Sequence, residues 1–217
     1  MLDTLFSATL LSACHDLIQA HKEVEMKKEI QFVFKGNRNY IQGTSLFNAI
    51  VNNVVDQGIE KGSLDVSFRK MVHSPVCVIE NRGFQSEDAV TAHVSKAEDD
   101  KAFSLVLYET DSVVKDPVRV EFDEESVCQG ALVDGNSITL VNPKHKDLIE
   151  LVVSLCKKLH LEVVADSKKW VFSRYLGQFP IPEAKKVEIR IVKQVGVKLT
   201  KSDVLVNDEK IADLFFS

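Results

Sequence analysis

Residues 43–57 limit the fold more than any other stretch of this chain. Leu46, Phe47, Ile50, Val51, Val54 and Val55 fall on about half the circumference of a helix, and Asn48 and Asn52 share one edge of its polar side. A strand pattern, IQFVFKG (30–36), and a polar turn precede this helix. Strand patterns then follow with short connections: LDVSFRKM and PVCVIEN, broken at Pro75, and a hairpin over 89–110. In that hairpin Val90, Ala92 and Val94, then Phe103, Leu105 and Leu107, alternate with other residues around an EDDK turn. One apolar helical stripe followed by a run of antiparallel strands must bury itself against the sheet they form. The expected class is α+β, an antiparallel sheet wrapped on a central helix.

The second half repeats this order. DSVVKDPV (111–118) reads as a linker, and Asp134-Gly135 as the turn of a short hairpin. A second helix is expected from Asn142 as N-cap and Pro143 as first helical residue, with Leu148, Ile149, Val152, Leu155, Cys156 and Leu159 as its buried stripe. Strands are expected at EVVA, KWVFSRYL and VEIRIVKQ, with a closing hairpin DVLVNDEKIADLFF. A shift of 105 residues aligns Val66 with Val171, Arg69 with Arg174 and Pro75 with Pro180, and sets Phe47, Ile50 and Val54 over Val152, Leu155 and Leu159. The organisation expected is an N-terminal amphipathic helix within 1–25, a first unit over 26–115 and a diverged copy over 116–217.

Leu5, Phe6, Leu10, Ala13, Cys14, Leu17 and Ile18 recur at helical steps. Asp3 precedes them and no Lys or Arg occurs before Lys22, so the stretch is read as a helix and not as a signal peptide. No segment is long enough to span a membrane. The net charge of -5 and a pI near 5.7 argue against nucleic acid as the main partner. Cys14, Cys77, Cys128 and Cys156 lie far apart without metal-ligand spacing, as expected of free thiols in a cytoplasmic protein. No metal or cofactor is expected, and no P-loop, dinucleotide fingerprint, nucleophile elbow or HExxH motif occurs.

YIQGTSLFNAIV (40–51) resembles the hotdog-fold superfamily, in which a curved sheet wraps a central helix and two hotdogs pair. In thioesterases of that superfamily a histidine-glycine-glycine turn enters a helix that begins with leucine and phenylalanine. Gly43, Leu46 and Phe47 match that pattern. Gln42 stands in place of the histidine, Thr44 in place of the second glycine, and Val51 in place of the helix carboxylate that serves as base or nucleophile. The resemblance implies a double hotdog, or a homodimer, acting on an acyl thioester of coenzyme A or acyl carrier protein, as a thioesterase or a dehydratase. Gly43 and Thr44 would offer N–H groups at a helix N-terminus to the thioester carbonyl.

The residues required for chemistry are less plain. The substrate-binding set is Gln42, Gly43, Thr44 and Asn52, and the catalytic set is Asn48, His145 and Asp147. A neutral amide is no general base at pH 7, so Asn48 needs a charged partner, and Asp56, His73, His145 and Asp147 are the candidates. His145 and Asp147, read into the first turn of the second helix, lie two apart and do not face each other. Asp147 also complements the helix dipole. Asn48 and Asn52 read equally as solvated residues of an amphipathic helix. The alternative is a catalytically degenerate hotdog, or another α+β domain, serving as an interaction or assembly subunit.

Overall fold

The computed structural model describes residues 27–97, 102–112, 116–164, 170–196 and 198–217. The expected helix within 1–25, Cys14 and the EDDK turn lie outside the described residues. The described residues form thirteen strands and three helices. The first half contains β1 (Lys27–Gln31), β2 (Phe34–Lys35), α1 (Gly43–Asp56), β3 (Gly62–Phe68), β4 (Val76–Asn81), β5 (Val90–Lys96) and β6 (Ala102–Glu109). The second contains β7 (Arg119–Val120), α2 (Glu124–Val127), β8 (Leu132–Asp134), β9 (Ser137–Val141), α3 (Leu148–Val163), β10 (Phe172–Phe179), β11 (Lys186–Val195), β12 (Leu199–Val206) and β13 (Glu209–Phe216).

Eleven strands form one sheet in the order β1-β4-β6-β5-β3-β10-β13-β12-β11-β9-β8. The halves meet at an antiparallel seam where Val66 of β3 faces Tyr175 of β10. Across this seam Arg174 grips Asp65 with both nitrogens, at 2.7 and 2.5 Å. Gly177 is demanded here: a Cβ on it would lie 2.3 Å from that of Ala212 on β13. The two long helices lie against the sheet, α1 on β5 and β10 and α3 on β9 and β11, and they pack on each other. The apolar stripes read from sequence meet in one core, where Ile50, Val54, Leu155 and Leu159 are buried with both sets of strands. Phe47 sets its ring edge-on to Tyr175 at 4.8 Å, tying α1 to the seam.

In each half a long helix is followed by four strands, but the strands do not take the same order in the sheet. From the seam outward the second half runs β10, β13, β12, β11, β9, and its last three strands are linked by simple hairpin turns. The first half runs β3, β5, β6, β4, β1. Because β6 lies between β4 and β5, the connection 82–89 has to cross it. Asp88, almost wholly buried, pins that crossing by accepting from Arg82 at 2.9 and 2.7 Å and from the Gln85 amide at 2.7 Å. The shift of 105 residues carries Gly43 onto Leu148, the first residues of the two helices, but leaves Gly62 short of Phe172. The longer α3 and the longer connection after it take up the difference, so the pairs Val66/Val171 and Arg69/Arg174 do not fall at matching strand positions.

Three local expectations are corrected. The second long helix does not start at Asn142-Pro143. The Asn142 amide extends the β9–β11 ladder by donating to the Lys185 carbonyl at 2.7 Å, and Asn142 adopts φ 51°, so the chain cannot turn helical there. Asp147 is the N-cap instead, accepting from the Glu150 amide at 3.1 Å. His145 and Asp147 therefore precede the helix and do not form its first turn. EVVA is no strand, because Glu162 and Val163 complete α3 and Val164 caps it. No helix among the described residues is long and apolar enough to cross a membrane.

Candidate functional site

The N-terminus of α1 is left open. Gln42, extended at φ -63° and ψ 141°, accepts the Ser45 and Leu46 amides through its carbonyl at 3.0 and 3.2 Å, but its side chain makes no cap. The first amides of a helix have no partner within it. Those of Gly43 and Thr44 find no acceptor among the described residues, and both residues line a cavity of about 290 Å³. Gly43 has little room for a side chain, since a Cβ would stand 3.2 Å from the Phe172 ring.

Both halves build this cavity. Ile41, Leu46, Phe68 and Val72 from the first half and Val153 and Phe172 from the second form its apolar wall. Phe68 and Phe172 touch across it with ring centroids 4.7 Å apart. A strap that follows the linker, residues 119–124, supplies Phe122 and Glu124. The strap is held by the parallel pairing of β7 with β2 and by Arg119, which donates to the carbonyls of Gly36 at 3.3 Å and Arg38 at 2.7 Å. Glu124 binds Arg38 at 3.1 Å and Lys157 at 2.7 Å, so one carboxylate joins the loop before α1, the strap and α3.

Glu150, 6% exposed, is the second carboxylate of the lining. Its Oε1 faces the Lys35 ammonium and its Oε2 lies 3.0 Å from His145 Nε2. Burial pushes the Lys35 pKa down; Asp147 opposes that shift and Arg38 adds to it. The pair is thus a desolvated ion pair at the junction of the two halves. Sequence reasoning missed Glu150, although a lone carboxylate inside the apolar run LIELVVSL was a readable signal.

The residues expected from sequence divide into two groups. Gln42, Gly43 and Thr44 line the cavity together, and Gln42 and Thr44 are buried. Asn48 and Asp147 are brought together away from the cavity, where Asn48 Nδ2 donates to Asp147 Oδ2 at 2.6 Å. His145 reaches the cavity only through Glu150. Asn52 is exposed on α1 and absent from the lining. Asp56 is exposed and paired with Lys28 at 2.7 Å, and His73 binds the Asn39 carbonyl at 2.9 Å. Neither faces the cavity.

A second polar cluster lies deeper. His160 is fully buried, with Nδ1 2.6 Å from the Cys156 carbonyl and Nε2 2.6 Å from Thr200 Oγ1. Its ring stacks on Phe216 at 5.1 Å and lies 4.9 Å from Trp170, which lines the cavity. Burial lowers the His160 pKa, so the ring is neutral at pH 7.

No family model matches the chain, and no curated protein sequence matches it. Solved structures do. A putative thioesterase II from Thermobifida fusca superposes with a TM-score of 0.51 at 10% identity, over 89% of this chain and 92% of that one. The tesB protein of Mycobacterium avium subs paratuberculosis superposes with a TM-score of 0.51 at 9% identity, over 88% and 90%. These likenesses are at the level of fold, and they make the architecture hotdog-like: a mostly antiparallel sheet against which the long helices pack.

Proposed function

We propose that this chain binds acyl thioesters, of coenzyme A or acyl carrier protein, in the cavity at the N-terminus of α1. One observation carries this reading: an apolar cavity ends at two amides, Gly43 and Thr44, that find no acceptor among the described residues. A thioester carbonyl placed there would accept both N–H groups at the positive end of the helix. A cavity at the junction of the halves also fits an acyl binder better than a solidly packed assembly subunit. In this reading the chain is a double hotdog, with units over 26–115 and 116–217. Of the two long helices among the described residues, α1 has no side-chain cap, whereas Asp147 caps α3.

The same geometry argues for binding ahead of rapid turnover. Val51 occupies the helix position where a carboxylate would be needed, and Glu150 is engaged by Lys35 and His145. Asn48, Asp147 and His145 hold the helices and Glu150 in place and do not touch the ligand. The test is calorimetric titration with acyl-CoAs of graded chain length and with acyl carrier proteins, alongside an assay for released thiol. Saturable binding is expected, with thiol release slow or absent. Absence of both binding and release across the panel would overturn the reading, and rapid release abolished in Glu150→Gln would make the chain a hydrolase with Glu150 as base.

A further inference from the structure

The cavity lining holds polar donors that no described residue engages. Beside the Gly43 and Thr44 amides, which no described residue accepts, Gln42 is 9% exposed, and its Oε1 accepts from Thr44 Oγ1 at 3.5 Å. Its side-chain NH2 donates to none of the described residues. Trp170, 7% exposed, buries its indole N–H with no acceptor among the described residues. A buried donor left unpaired costs about 1–3 kcal/mol, so the Trp170 N–H beside the open amides points to a ligand that accepts.

Charge points the same way. Arg38, Arg69, Lys70 and Lys157 line the cavity against the carboxylates of Glu124 and Glu150. Glu150 is already matched from outside the lining by Lys35 and His145. Glu124 alone answers Arg38 and Lys157, and Arg69 and Lys70 are exposed. A neutral carbonyl accepts hydrogen bonds but leaves this excess of positive charge unanswered. A carboxylate answers it and accepts at about four lone-pair sites.

We infer that the occupant best suited to this cavity is a free fatty acid of medium chain length, its carboxylate at Gly43 and Thr44 and its chain along Leu46 and Phe172. The inference rests on the reading that the cavity takes an acyl chain, and it names the form of the head group. The volume of about 290 Å³ sits at the small end of ligand pockets, which run about 300–1,000 Å³, and so favours a short or medium chain.

Trp170 is the only tryptophan of the chain and lines the site, so its emission reports occupancy without a label. The full chain is titrated with octanoate, octyl phosphate, octanol and octanoyl-CoA, with calorimetry in parallel in case the emission does not change. Octanoate is expected to bind saturably, octanol roughly tenfold or more weakly, and Arg38→Gln to weaken octanoate several-fold while leaving octanol unchanged. Val153→Phe, if its circular dichroism is native, is expected to lose octanoate by filling the cavity. Equal affinity for octanol and octanoate overturns the inference, as does tighter binding of octyl phosphate or full retention of octanoate in both variants. Octanoyl-CoA binding without octanoate binding overturns the inference and leaves the acyl-thioester reading standing. Failure of all four ligands overturns both.

Discussion

Asn48 of α1 donates to Asp147, the N-cap of α3, at 2.6 Å across 99 residues of sequence. The same carboxylate accepts the Glu150 amide through its other oxygen, so one side chain closes α3 and ties it to α1. Asp147→Ala should cost about 1 kcal/mol for the lost cap and about 1–2 kcal/mol more for the lost charged hydrogen bond. Urea denaturation of Asn48→Ala, Asp147→Ala and the double variant measures the coupling between them. A coupling of about 1 kcal/mol is expected, and additivity would deny the tie.

The Lys35–Glu150 pair carries a different kind of risk. Both groups are desolvated, so removing one leaves the other buried without its partner. Glu150→Met should destabilise the fold by about 3–5 kcal/mol, and adding Lys35→Met should recover most of that loss. If the double variant is no more stable than the single one, the pair is not the cause.

Acid should weaken the fold through His160. Its folded pKa is lowered by burial from the ordinary 6.5, so below that value the unfolded chain takes up a proton that the folded chain refuses. The His160 contribution is complete above about pH 6.5 and is lost as the pH falls toward the folded value. Midpoints of urea unfolding between pH 7.5 and 5 should fall more steeply for the wild type than for His160→Gln. Parallel slopes would count against this assignment.

Thiol chemistry should be slow in the folded protein. Burial raises the Cys77 and Cys156 pKa values to about 12 and that of Cys128 to about 11, which leaves almost no thiolate at pH 7. Mass tagging with a maleimide should leave these three unmodified in buffer and label them in urea. Fast native labelling of Cys156, which lies on the buried face of α3 against Ser202 at 3.6 Å, would contradict the packing.

Much of this architecture was readable in the residues. The stripe from Leu46 to Val55 and the one from Leu148 to Leu159 specified two amphipathic helices, because a period near 3.6 leaves no other way to bury one face. The alternation in 89–110 specified a hairpin, and the structure pairs Val90 with Leu107 and Val94 with Phe103. Gln42, Gly43 and Thr44 were legible as a helix entry from local chemistry alone.

What depended on distant partners was not legible. Asn142-Pro143 has the chemistry of a helix start, yet the Asn142 amide is claimed by Lys185 on another strand, and no local signal announces that. The crossing of 82–89 over β6 is a choice among sheet orders that share the same strand patterns. Which of the candidate partners Asn48 would meet was open until the fold set Asp147 against it, and Glu150 joined the cavity only when α3 folded against α1. By itself the sequence determined periodicity, and with it the helices, the strands and their buried faces, since these follow from backbone geometry over a few residues. The tertiary structure decided which end of which helix stays open and which charges surround it, because those depend on contacts between segments a hundred residues apart.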